Sequence, residues 1–217
     1  MIELKNVTKY YETNVGKKYI LNNVTFTIPP NKSIAILGSN GAGKSTLLRM
    51  LGGIDFPNKG TIKSKKVFSW PMGLASGFQA SMTGRQNVKF VCRIYGKDDE
   101  HMREAINFVK DFSEIGDYFD MPLRTYSSGM RAKLSFGMSL FFDFDYTLID
   151  ETLAVGDPKF NKKAKAALMA KIKKSNAIIV SHQMPVLREV CDVGIYLNDG
   201  KIQYFEDVQE AIDCYQK

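Results

Sequence analysis

The chain has three cysteines and two histidines among 217 residues, and each scarcity removes a class of protein. Cys92, Cys191 and Cys214 are odd in number, far apart and without a CxxC pair, so no disulfide framework is expected. With so few histidines, a structural zinc site is not expected either. The cysteines read as small hydrophobes in a reduced, cytosolic chain. No apolar run approaches the roughly 18 residues that cross a bilayer. The opening MIELKNVTKYY has no apolar h-region, so no secretory leader is expected. Hydrophobic residues make up 44% and charged residues 24%, which excludes disorder and fits one domain large enough to bury a core unaided.

Acid is also missing from one stretch. Lysine and arginine number 30 against 23 aspartates and glutamates, a formal net charge of +7. Between Pro158 and Lys174 stand Lys159, Lys162, Lys163, Lys165, Lys171, Lys173 and Lys174 with no acid, which matches the whole excess. Phe160, Ala164, Ala167, Leu168 and Ile172 recur at helical spacing among them, so the stretch reads as an amphipathic helix with a solvated basic face. The same charge would also suit an anionic partner, either lipid headgroups or an acidic polypeptide segment. His101, within Asp98-Asp99-Glu100-His101, reads as a solvated residue.

Residues 2–8 (IELKNVT) and 20–28 (ILNNVTFTI) alternate as half-buried strands do, with Pro29-Pro30-Asn31 turning the second. Residues 33–37 (SIAIL), 146–149 (YTLI) and 177–180 (AIIV) are short apolar runs, as strands covered on both faces would be. They end respectively in Gly38-Ser39-Asn40, Asp150-Glu151 and Ser181-His182. Ligands of doubly wound sheets collect at the carboxyl ends of parallel strands. Three such strands would aim polar chemistry at one edge. Residues 84–142 read as mostly helical, 193–205 as a hairpin turned by Asn198-Asp199-Gly200, and 208–215 as a short amphipathic helix.

The strongest local signal is the run Gly38, Ser39, Asn40, Gly41, Ala42, Gly43, Lys44, Ser45 and Thr46. It matches GxxxxGK(S/T) after a strand and before an apolar helix. The glycines let successive backbone N–H groups face an anion, and the helix start points its positive end the same way. Lys44 would reach the β- and γ-phosphates, and the Ser45 hydroxyl would ligate Mg²⁺. A chance match in such a chain is on the order of one in a hundred. Asp150 at a strand end can hold Mg²⁺, and the adjacent Glu151 can activate the attacking water. Tyr126-Ser127-Ser128-Gly129-Met130 precedes Leu134, Met138 and Phe141 at helical spacing, which makes Ser127 a candidate helix N-cap facing an anion.

Taken in order, these residues resemble the nucleotide-binding subunit of an ABC (ATP-binding cassette) transporter over essentially all of the chain. Gly38–Thr46 is similar to its Walker A, Gln79 to its Q-loop and Tyr126–Met130 to its LSGGQ-type signature. Asp150-Glu151 resembles its Walker B with catalytic glutamate, Asp157 its D-loop and His182 its H-loop. Tyr11 resembles the aromatic that stacks on adenine, with Tyr10 leaving the register open by one residue. The signature here is YSSGM, so Met130 cannot make the amide contact of a glutamine. The D-loop reads LAVGD, which is similar to the polysaccharide-exporting branch. Residues 69–79 (SWPMGLASGFQ) and 83–88 (TGRQNV) are similar to the ATPases that export group 2-type capsular polysaccharide in Gram-negative bacteria.

The resemblance implies an α/β P-loop NTPase fold with N-terminal antiparallel β strands, a parallel core sheet and an inserted helical subdomain. The chain would be a single domain over 1–217, its core about 1–79 and 143–217 and its helical part about 80–142. ATP and Mg²⁺ are the implied cofactors, with Ser45, Gln79 and Asp150 toward the metal. Lys44 and His182 would face the γ-phosphate, with Glu151 as base. Two copies would meet head to tail, so that Ser127, Ser128, Gly129 and Met130 of one complete the ATP site of the other. A separate transmembrane permease would dock against residues 80–125. That places the protein peripherally on the cytoplasmic face of the inner membrane, with no role for nucleic acid. A nucleotide kinase would not explain the signature. A ribosome- or DNA-directed cassette ATPase usually needs more chain than this. O-antigen or teichoic acid remains the alternative cargo, although the chain ends 35 residues after His182, without the carbohydrate-binding domain many such ATPases carry.

Overall fold

Alternation and continuous burial build two different sheets. In the computed structural model, which describes residues 1–72, 78–150 and 157–217, β1 (Ile2–Thr13) and β2 (Gly16–Ile28) pair antiparallel and β4 (Lys59–Ser64) joins the free edge of β1. Ile2, Leu4, Val7, Leu21, Val24 and Ile28 turn one face of this sheet into the core. Asn6 and Asn23 take left-handed backbone (φ 50° and 52°), which asparagine tolerates, and β1 shifts register against β2 on either side of Val7.

The second sheet has the order β5-β6-β3-β7-β8, made of β3 (Ile34–Leu37), β5 (Tyr146–Asp150), β6 (Asn176–Val180), β7 (Val193–Asn198) and β8 (Lys201–Phe205). The first four are parallel, and β8 pairs antiparallel with β7. All four residues of β3 are buried, as expected of a central strand covered on both faces. Asp199 and Gly200 at φ 46° and 73° form the two-residue hairpin turn, which needs left-handed backbone at both positions. Helix α1 (Lys44–Leu51) lays Leu47, Leu48 and Leu51 on this core.

These sheets form one compact unit: Met1–Pro71, Phe144–Glu151 and Ile172–Lys217. It also carries α6 (Met184–Val190) and α7 (Val208–Gln216). The other unit, Met72–Asp143 and Thr152–Lys171, holds α2 (Gly84–Ile94), α3 (Asp99–Ser113), α4 (Ser128–Phe141) and α5 (Pro158–Ile172). Its centre is aromatic: Phe112 stacks with Phe108 and Phe136 and meets the edge of Phe160. Thr83 and Gln86 form a capping box on α2, and Asp98 caps α3. His101 is exposed but lies 2.7 Å from Asp98.

Three features depart from the sequence expectations. The N-terminal hairpin runs to Thr13 and back from Gly16, well past 2–8 and 20–28, because backbone pairing continues where the side chains become polar and exposed. Strand β4, an exposed edge strand with one half-buried isoleucine, and the seven-residue α6 carry too little apolar pattern to be expected at all. The basic face of α5 is not wholly solvated. Phe160, Ala164, Leu168 and Ile172 are buried as anticipated. Yet Lys163 donates to Phe112 O (3.1 Å) and Glu114 (2.6 Å), and Lys171 to Leu140 O (2.9 Å) and Phe142 O (2.6 Å). These ammonium groups satisfy carbonyls at the C-terminal ends of α3 and α4, where the helix dipoles favour positive charge.

Candidate functional site

Strand order explains why the polar ends converge. β6 lies between β5 and β3, with Asp150 level with Val180 and Val180 level with Ile36. Asp150, Ser181-His182 and the loop after Leu37 therefore emerge along one sheet edge. Gly38, Gly41 and Gly43 all have positive φ (152°, 80°, 102°). A Cβ at Gly38 would sit 2.4 Å from Leu197 O, and one at Gly43 2.1 Å from Ile20 Cγ2, so neither position admits a side chain. Ala42 N–H closes the turn on Ser39 O at 3.1 Å, and α1 starts at Lys44 behind the left-handed Gly43.

Within this loop the buried Lys44 ammonium donates to Gly38 O (2.7 Å) and Ser39 O (3.1 Å). Ser45 Oγ donates to Asp150 Oδ1 at 3.0 Å across 105 residues. A hydroxyl and a carboxylate side by side are hard oxygen donors of the kind Mg²⁺ selects. The cleft beside the loop has a volume of about 380 Å³ and is lined by Tyr11, Lys18, Ile20, Asn40, Lys44 and Thr46 among others.

Tyr11, not Tyr10, shares this cleft. Strand alternation sends Tyr10 to the opposite face, where it packs on Tyr19 at 5.6 Å and lies beneath Lys17. Tyr11 Oη donates to Asp55 Oδ2 at 2.9 Å, and the same carboxylate takes the buried Lys9 at 2.6 Å. Burial pushes the Asp55 carboxyl up, but the bonds from Lys9 and Tyr11 outweigh it and hold it below the usual range. Asp55 thus orients the ring. At 44 residues' distance, nothing in the sequence marked it.

The helical unit places the remaining candidates. Gln79 N–H donates to Asn87 Oδ1 at 2.9 Å, and Asn87 Nδ2 lies 3.2 Å from Gln79 O and 2.9 Å from Thr83 O. Fully buried Asn87 therefore clamps the segment carrying Gln79 to the start of α2. Ser127 caps α4 by accepting Met130 N–H at 3.2 Å, and Ser127 and Ser128 are exposed while Gly129 and Met130 are half-buried. Tyr126, where the signature pattern has leucine, is buried and donates to Tyr118 O at 2.6 Å. Burial pushes its phenol up to about 12. Asp157 accepts Phe160 N–H at 2.9 Å as the cap of α5 and pairs with Lys133 of α4 at 2.8 Å. Glu151, the sequence's candidate base, residues 153–156 of the LAVGD stretch and residues 73–77 of the 69–79 run lie outside the described residues.

Known proteins resemble this chain in sequence and in fold. Residues 21–154 match the family model described as ABC transporter. The chain is 53% identical to the polysialic acid transport ATP-binding protein KpsT of Escherichia coli, covering 100% of this chain and 99% of that one. It is 43% identical to the ATP-binding protein BexA of Haemophilus influenzae, over 100% and 99% of the two chains. A dimeric ATP-binding cassette in a post-hydrolysis state, bound to ADP and phosphate, superimposes with a TM-score of 0.72 at 22% identity, over 95% of this chain and 98% of that one. That last likeness is one of fold. The chain belongs to the ABC transporter family, as a nucleotide-binding, ATP-hydrolysing member. No helix among the described residues is long and apolar enough to cross a membrane.

Proposed function

We propose that this chain is the ATPase subunit of an exporter that moves a capsular polysaccharide across the inner membrane through a separate permease. The contact between Ser45 and Asp150 beneath the phosphate loop carries the hydrolytic reading, since it gathers hard oxygen ligands where a triphosphate would end. Full-length identity with the polysialic acid transport protein supports the cargo.

In this reading the loop N–H groups and the start of α1 bind the phosphates, and Lys44 exchanges its carbonyl contacts for β- and γ-phosphate oxygens. Ser45 and Asp150 would hold Mg²⁺, with Gln79 as the further ligand the family pattern implies, and the ion would supply neutralisation of charge on the phosphoryl group. Glu151 takes the proton of the attacking water, His182 donates to the γ-phosphate, and Tyr11 stacks on the adenine. Ser127–Met130 and Asp157 of a second copy complete the site. Residues 80–125 pass the movement to the permease, keeping the protein peripheral on the cytoplasmic face.

Deletion of the gene should abolish surface glycan and leave polymer inside the cell. Complementation should succeed with the native chain and fail with Glu151→Gln. Unchanged surface glycan in the deletion strain would overturn the cargo.

A further inference from the structure

His182 is not positioned by the strand that precedes it, β6, alone. Tyr215, 33 residues further on, brings its phenolic oxygen to 3.1 Å from His182 Nδ1, with ring centroids 6.2 Å apart and planes at 43°. This approach is fixed by how α7 is seated. Asp207 caps the helix, and Val208, Ala211 and Ile212 are buried against the parallel sheet. The seat depends on Gly194 in β7, because a Cβ there would lie 2.1 Å from Ala211 Cβ. Arg188 Nε donates to Gln209 Oε1 at 2.7 Å, tying α7 to α6, the helix that starts two residues after His182. Tyr196 of β7 then packs against the Tyr215 ring at 6.4 Å. The half-buried phenol is held on the strand side and the helix side with its hydroxyl toward the imidazole.

The chemistry of the two partners gives the contact a direction. A neutral imidazole carries one N–H and one acceptor nitrogen, and the bond made by one nitrogen decides which of them holds the hydrogen. A phosphate oxygen is an acceptor, so His182 is useful to it only through an N–H. A phenol O–H donating to Nδ1 leaves the hydrogen on Nε2. If Nδ1 carried the hydrogen instead, Nε2 would turn a lone pair toward the phosphate.

We propose that Tyr215 is a positioning residue for hydrolysis: its O–H donates to Nδ1 of His182 and holds the Nε2–H tautomer that is presented to the γ-phosphate. The proposal rests on the reading of His182 as the γ-phosphate donor. It makes the last turn of α7 part of the turnover machinery, which no local motif around Tyr215 indicates.

The test uses the full-length chain with ¹⁵N-labelled histidine. Only His101 and His182 contribute signals, and His101→Gln assigns them. Long-range proton–nitrogen correlation should show His182 as the Nε2–H tautomer in the native chain and as a mixture in Tyr215→Phe, which keeps the ring and its packing. Turnover should fall about 5- to 30-fold in Tyr215→Phe, the loss of one oriented hydrogen bond, with KM for ATP changed less than about twofold. Tyr196→Phe should leave both readouts unchanged. If His182→Ala loses turnover while Tyr215→Phe keeps both the native tautomer and the native rate, the positioning role is overturned and the phosphate role of His182 stands. Full turnover in His182→Ala would overturn the phosphate role, and the positioning role with it.

Discussion

Gly43 is the residue on which the phosphate site turns, because a β-carbon there meets both left-handed backbone and the Ile20 side chain. Gly43→Ala should cost about 1–3 kcal/mol of stability through strain and abolish nucleotide binding. Gly41 also has positive φ, but its nearest neighbour would be the flexible Lys18 ammonium at 3.7 Å, so Gly41→Ala should fold with a smaller loss. Denaturant melts and a fluorescent ATP analogue measure both effects, and equal losses would mean that Ile20 is not the obstacle. The two tyrosines give a second comparison. Base stacking on an aromatic ring is worth about 1–3 kcal/mol. Tyr11→Ala should therefore weaken ATP binding by about 5-fold or more, whereas Tyr10→Ala, on the far face of the sheet, should leave it unchanged. The reverse ranking would contradict the placement of Tyr11 in the cleft.

Among the elements, α5 divides its lysines by what they touch. The Lys171 ammonium satisfies two carbonyls at the end of α4, and burial pushes its pKa down against the opposing pull of Asp143. Lys171→Gln should cost about 1–3 kcal/mol, whereas Lys173→Gln, exposed just past the end of the helix, should change stability by less than about 0.5 kcal/mol. At the other end of the helix, the bond from Lys133 and then the Phe160 N–H hold the Asp157 carboxyl down to about 2. Its folded pKa lies below the unfolded value of 3.8, so its contribution is complete above that value and is lost as pH falls through about 2. Lys133→Met should raise the Asp157 pKa toward the ordinary range and narrow that acid limb, which a carboxyl ¹³C titration reads directly. An unmoved titration would exclude Lys133 as the cause. These elements also show what the sequence could tell. The parallel strands, the phosphate loop and the Ser127 cap were legible because each is written in contiguous residues with a fixed period or spacing. Asp55, Asn87, Lys133 and Tyr215 were not, because each acts through polar contacts that exist only once the chain has folded. The polar tip of the β1–β2 hairpin was missed for a different reason: backbone pairing alone sustains it.

At the scale of the whole molecule, the proposed active site needs a second copy. The signature segment of one chain presents what an anion requires: a capped helix start with Ser127 and Ser128 exposed on it. Met130 cannot supply a glutamine's amide contact, so the proposed half-site would depend on the serine hydroxyls and the helix dipole. The Glu151→Gln chain, unable to take the water's proton, should lose turnover by on the order of 10²–10⁴ yet retain ATP, and it should elute as a dimer when ATP and Mg²⁺ are present. Ser127→Arg in that background should remain monomeric, because a guanidinium at the cap fills the space of the partner's γ-phosphate and removes the hydroxyl. It should still bind ATP, since the phosphate loop is untouched. Met130→Gln should be tolerated, adding one donor to a site that works without it. Size-exclusion chromatography with scattering detection, run with and without ATP, compares all three. A Ser127→Arg chain that dimerises with ATP as readily as its parent would exclude the signature segment from the nucleotide site, leaving each phosphate loop to work alone.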